Sequence, residues 1–92
     1  MTYLGPQTAT LTNTGGTTTG VALFADAGHS SGRVIWNDSA GVMYVQYGGS
    51  VSTTAYTVQV ASQAAYAFPV PVYAGTVTAL WATAGTARTT WW

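Results

Sequence analysis

The sequence contains no cysteine, no lysine and no glutamate. Without cysteine there are no disulfide staples and no thiolate metal sites. The ionised side chains are Arg33, Arg88, Asp26 and Asp38, 4% of 92 residues, where an ordinary soluble domain carries about 25%. So few cations exclude the clustered Arg and Lys that neutralise nucleic-acid phosphates and the polybasic segments that hold proteins to anionic lipid. No run approaches the roughly 18 uninterrupted apolar residues of a membrane-spanning helix. Met1-Thr-Tyr-Leu-Gly-Pro lacks the basic and apolar regions of a signal peptide. Neither nucleic acid nor a membrane is therefore an expected partner, and synthesis in a cytoplasm is expected.

The shortage extends to reactive groups. General acid–base catalysis needs paired titratable side chains, and the chain offers two carboxylates and His29. His29 sits in the Gly/Ser-rich stretch DAGHSSG after Asp26, a poor platform for a rigid Ser/His/Asp arrangement. His29, Asp26 and Asp38 are one ligand short of a closed zinc site. Asp26-Ala-Gly28 and Asn37-Asp-Ser offer oxygens to a weak calcium site, but Asp and Asn also simply shape turns. Gly15-Gly16 lacks the lysine of a phosphate loop. The expectation is a protein with no catalytic residue, no cofactor and no metal.

What the chain has is threonine (17 residues) and valine (10) in short segments punctuated by 11 glycines. β-Branched residues with period-2 alternation and no helical spacing predict strands. Residues 1–8, with Gly5-Pro6, read as an N-terminal arm, and residues 9–92 as one β-sandwich domain. Strands are expected at 8–13, 17–24 and 33–36, with a turn at 13–16 and another from Asn37 to Gly41. The strongest pattern is 42–47 (VMYVQY), with Met43, Val45 and Tyr47 on one face. Further strands are expected at 56–60, 64–68, 77–81 and 87–92. Pro69 and Pro71 cannot lie in a central ladder, so this stretch is an edge or a crossover between sheets. About eight short strands separated by turns predict an all-β antiparallel sandwich, jelly-roll or Ig-like.

Twelve aromatic residues exceed what so small a core hides. Trp36, Tyr44, Tyr56 and Trp81 are expected in the core. Trp91 and Trp92 are neighbours on a strand and point to opposite faces, so at most one enters the core. The other folds over its own domain's open end or anchors a contact with another chain. Arg33 and Asp38 either brace loops as a pair, or Arg33 and Arg88 reach a partner, since the arginine fork suits interfaces.

From Arg33 onward the order of features resembles a family of small virion structural proteins of tailed bacteriophages. The matching elements are Arg33-Val-Ile-Trp-Asn37, Met43-Tyr-Val45 with Gly48, and Ser52-Thr-Thr-Ala-Tyr56. They continue with Phe68-Pro-Val-Pro-Val-Tyr-Ala-Gly75, Val77-Thr-Ala-Leu-Trp-Ala82 and Ala87-Arg-Thr-Thr90. The likeness covers about two thirds of the chain. Its departures are the Thr-rich N-terminal third and Thr89-Thr-Trp-Trp92, where such proteins commonly carry an acidic residue. The resemblance implies a β-sandwich capsid decoration (cement) protein that stabilises the head by bridging major capsid subunits. It implies a homo-oligomer, a trimer by preference, on the capsid surface of the virion after synthesis in the host cytoplasm.

On that reading Tyr3, Leu4, Arg33, Arg88, Trp91 and Trp92 are the candidate assembly contacts. The arm is then placed to add a strand to a neighbour's sheet. The rival expectation is a tail-associated or receptor-binding adhesin that stacks exposed Tyr and Trp on glycans. Ice binding needs threonines at a constant repeat, and Thr17-Thr-Thr19 and Thr76-Val-Thr78 share none.

Overall fold

A computed structural model describes residues 9–25 and 31–92, and the N-terminal arm and the loop at 26–30 lie outside the described residues. Eight strands are present: β1 (Thr10–Gly16), β2 (Val21–Phe24), β3 (Arg33–Asp38), β4 (Met43–Tyr47), β5 (Val58–Val60), β6 (Ala65–Ala67), β7 (Val77–Trp81) and β8 (Gly85–Trp91). They form two four-stranded sheets, one ordered β1-β8-β3-β6 and the other β2-β7-β4-β5. All pairings are antiparallel.

The pairing has a simple rule. β1 pairs with β8, β2 with β7, β3 with β6 and β4 with β5. The chain is thus one long hairpin, with its tip between β4 and β5. It is rolled so that successive pairs fall in alternate sheets and are sealed by β3–β8 and β4–β7. That is the jelly-roll, and this strand order decides between the two sandwiches expected from the sequence. The prolines behave as expected: β6 is an edge strand, and Pro69 and Pro71 lie in the crossover that carries the chain to the other sheet.

Alternation sets the core. Met43 and Val45 of β4, Ile35 of β3, Val77, Ala79 and Trp81 of β7 and Ala87 of β8 are fully buried between the sheets. They are joined by Leu23, Phe24, Val60 and Phe68. β1 runs further than expected, because residues 13–16 continue the ladder opposite Arg88 to Gly85 rather than turning. The physical reason lies at Gly16: the Trp81 indole rests against its backbone where a Cβ would stand. Glycine there serves close packing rather than a turn. The turn falls instead between Thr17 and Gly20, before β2.

Three of the four expected core aromatics are placed differently. Tyr44 lies on the outer face of β4, opposite the inward Met43 and Val45, and is only partly buried. Trp36 lies on the outer face of β3, 38% exposed, and Tyr56 precedes β5, 39% exposed. Arg33-Val-Ile-Trp-Asn-Asp is apolar at three consecutive positions, so either face could have been the buried one. The fold buries Arg33, Ile35 and Asn37 and turns Trp36 outward.

Candidate functional site

The inward face of β3 carries a polar anchor at each end. At one end the Arg33 guanidinium is buried, with Nη1 donating to the carbonyls of Tyr73 (2.9 Å) and Gly75 (2.7 Å), and Nη2 to those of Ala25 (3.1 Å) and Ala74 (3.0 Å). Its carbon lies 4.5 Å from the Phe24 ring centroid and 6.0 Å from that of Phe68. Around it Tyr47 stacks on Tyr73 and Phe68 (4.6 and 5.1 Å), while Phe24 meets Phe68 and Trp91 edge-on (5.6 and 6.0 Å). The Tyr47 and Tyr66 hydroxyls are 2.9 Å apart. Burial, followed by this hydrogen bond, pushes the Tyr47 phenol well above its ordinary range. The planar five-donor fork suits a ring of carbonyls, so Arg33 fastens the crossover to the end of β2.

At the other end Asn37 Nδ2 donates to the carbonyls of Gly41 (2.9 Å), Val60 (2.9 Å) and Ala61 (3.1 Å), and Oδ1 accepts from Ser39 Oγ (2.7 Å). β3 and Val60 belong to different sheets, so one amide ties the layers together. Both anchors are architectural.

The outward faces differ from each other. Thr78 and Leu80 point away from the core, yet both are buried, because the hairpin tip at 48–57 roofs the β2-β7-β4-β5 sheet. Thr78 Oγ1 donates to Gly48 O (2.9 Å), and the Gln46 amide, oriented by its neighbours, donates to Ser50 O and Ala55 O (2.9 and 2.6 Å). The Tyr44 and Tyr56 rings meet at 5.1 Å, and Tyr56 accepts from Gln59.

The β1-β8-β3-β6 sheet has no such cover among the described residues. Its register lays three rows across the outer face: Leu11, Thr90, Val34 and Ala67, then Asn13, Arg88, Trp36 and Ala65, then Gly15, Thr86 and Asp38. Leu11 is 65% exposed and Trp36 38%. Charge on this face cancels locally: Arg88 Nε and Nη2 both donate to Asp38 Oδ2 (3.0 and 2.8 Å), and Nη1 donates to Asn13 Oδ1 (3.1 Å). The Gln63 amide and then Arg88 hold the Asp38 carboxyl below its ordinary range. An open face carrying Trp, Leu, Val and Ala with no net charge is the main candidate interaction surface of the described chain.

The expected contact residues are spread over several environments. Tyr3 and Leu4 lie outside the described residues, as do Asp26 and His29. Arg33 is 2% exposed and faces its own domain's carbonyls, so it is not an outward contact. Nor does it pair with Asp38, which stands at the far end of β3 and takes Arg88. Arg88 is on the open face. Trp91 is half-buried against Phe24. Trp92 remains 40% exposed, with its indole over Gly32, where a Cβ would stand, and its backbone bonded to Gly32 and Ser31. Trp36, Val34 and Leu11 are not among the contacts expected from the sequence. The sign available in the sequence was the three-residue apolar run of β3, which must expose one of its faces.

Comparison of the chain with family models, with curated proteins and with solved structures gives no match in any of the three.

Proposed function

We propose that this chain is a structural component of a bacteriophage virion, a capsid decoration (cement) protein that stabilises the head by bridging major capsid subunits. The observation that carries the reading is the open outer face of the β1-β8-β3-β6 sheet, without net charge and bearing Trp36, Leu11 and Val34 on a jelly-roll. Such a face gains by being covered, since burial of apolar area is favourable at about 25 cal/mol per Å². Its internally satisfied Arg88–Asp38 pair leaves no isolated charge to desolvate. Jelly-rolls recur in capsid and lectin domains, so the architecture accommodates this role without specifying it.

The mechanism is mechanical. A part that binds the assembled shell and not its separated subunits stabilises the shell by mass action, and many weak contacts combine through effective concentration. The arm at residues 1–8 is proposed to extend the contact by strand addition to a neighbour.

The test uses particles assembled with and without the chain. Loss of tolerance to heat and to packaged DNA, restored by adding the purified protein but not its Trp36→Lys variant, is the expected result. Unchanged tolerance would remove the cementing role. A few copies on the tail together with glycan binding would put the adhesin in its place.

A further inference from the structure

The two sheets have four edge strands, and three of them are closed to further pairing by familiar devices. β5 and β6 are three residues long, and β6 runs into Pro69 and Pro71. β2 is four residues long, with its register broken between Ala22 and Phe24. β1 is the exception. It spans seven residues, TLTNTGG, in unbroken register with β8, and carries no proline, no charge and no bulge. Its other edge has no partner strand among the described residues, and Thr10 to Asn13 are exposed on both faces.

We infer that β1 is a self-pairing edge, at which a second copy of this chain adds its own β1 antiparallel across a two-fold axis. The sequence of the strand fits its own reversal. With Asn13 opposite the second copy's Asn13, Thr12 faces Thr14, and Leu11 faces Gly15, beside which there is open space for a side chain. β-Branched pairs and side-chain hydrogen bonds directly across a ladder are favourable, and like charges there are not. Self-pairing places every residue of a symmetric register against a residue of the same strand, so an uncharged strand is what it requires. The nearest cation, Arg88, stands one strand in. Its copy would lie about 14 Å away across three strand spacings, each held by its own Asp38.

The contact is isologous and closes on itself. Once two β1 strands have paired, only the short edges remain, so growth stops at two. The three-fold cluster expected from the sequence resemblance would need a head-to-tail contact instead. Pairing also joins the two open faces into one eight-stranded surface, although the inference rests on the edge and not on the capsid reading.

The full-length protein, free of any capsid component, tests it by sedimentation over a concentration series. A monomer–dimer equilibrium is expected, weakened about fivefold or more by Asn13→Asp, which opposes two carboxylates at the axis while remaining beside Arg88 within its own chain. Because the protein has no cysteine, Asn13→Cys supplies the sole thiol at the point where opposed Cα atoms fall within disulfide reach. Mild oxidation should link Asn13→Cys chains quantitatively and leave Ala65→Cys, on the β6 edge, largely unlinked. A monomer at all concentrations overturns the inference. So does a dimer that ignores Asn13→Asp, or one that links equally well through position 65. None of these results touches the particle-stability test of the capsid role.

Discussion

Arg33 and Phe24 are stacked at the end of the sandwich, with the guanidinium carbon 4.5 Å from the ring centroid, and the same guanidinium gathers four backbone carbonyls. A lysine ammonium is a point donor and cannot span that ring. Arg33→Lys is expected to cost about 2–3 kcal/mol and Arg33→Ala about 3–5 kcal/mol. Each kcal/mol should lower Tm by about 4–8 °C. Arg33→Met, which keeps the apolar stem, should do no better than lysine, because the carbonyls lose their donors. Urea denaturation of the three variants is the measurement, and a neutral Arg33→Met would show that the carbonyls are otherwise satisfied.

Asn37 makes a sharper pH prediction. Asn37→Asp places a carboxyl against the carbonyls of Gly41, Val60 and Ala61, where the ionised form is repelled and buried, so its pKa rises on folding. A raised acid pKa means that stability is retained below the unfolded value of about 3.9 and lost as pH climbs through the folded value. The variant should therefore be destabilised by about 3 kcal/mol at pH 7 and recover part of that near pH 4. A protonated carboxyl offers one donor hydrogen where the amide had two, so recovery stays incomplete. Denaturant midpoints across that range decide it.

The same strand shows how much of the fold and site could be read in advance. Strand number, the sandwich and the crossover at Pro69 and Pro71 were legible because alternation and proline chemistry act locally. The alternation of β4 was legible, with Met43, Val45 and Tyr47 on one face. Val42 and Tyr44 make the other face apolar too, so Tyr44 is expected in the core and instead lies outward against Tyr56. The face of β3 was not: Arg33 and Asn37 look like outward residues until carbonyls from residues 25, 73–75, 41, 60 and 61 are brought to them. Those contacts are set by tertiary structure, so local pattern alone places Trp36 in the core and gives no sign of the open face. Gly15-Gly16 failed as a turn for a similar reason, since the indole that requires Gly16 lies far along the chain at Trp81.

Asp38 governs the response to acid among the described residues. Gln63 and Arg88 hold its carboxyl below the ordinary value of 3.8, so its contribution is present above that value and is lost as pH falls through the lower folded one. Stability should stay level from pH 7 to about 5 and decline below about 4. Asp38→Asn should flatten the decline. The pair is exposed, so added salt should shift the wild-type midpoint only slightly. Equal acid sensitivity in the variant would place the titrating group elsewhere.

Tyr47 governs the alkaline side. Burial and the Tyr66 hydroxyl raise its pKa above the ordinary 10.0, so the folded chain keeps a proton that the unfolded chain releases. Stability should fall as pH rises beyond about 10. Tyr47→Phe should cost about 1 kcal/mol at neutral pH through the lost hydrogen bond, and its stability should decline less steeply in alkali. Paired melts of wild type and variant at pH 8 and pH 11 measure the difference, and parallel declines would assign the effect to another tyrosine.

Trp36 and Ile35 adjoin in sequence and face opposite ways, which separates folding from recognition. Ile35→Ala removes fully buried volume from the core and should cost about 2–5 kcal/mol. Trp36→Ala removes a partly exposed ring whose cross-strand neighbours are Arg88 and Ala65, and should cost about 1 kcal/mol or less. If the open face is the attachment surface, the order reverses for binding to particles. A central tryptophan buried there is the side chain whose loss is felt most, so Trp36→Ala should weaken attachment tenfold or more, equivalent to about 1.4 kcal/mol. At a temperature where it remains folded, Ile35→Ala should bind nearly as wild type does. Should Trp36→Ala decorate particles with undiminished affinity, attachment must run through another part of the molecule.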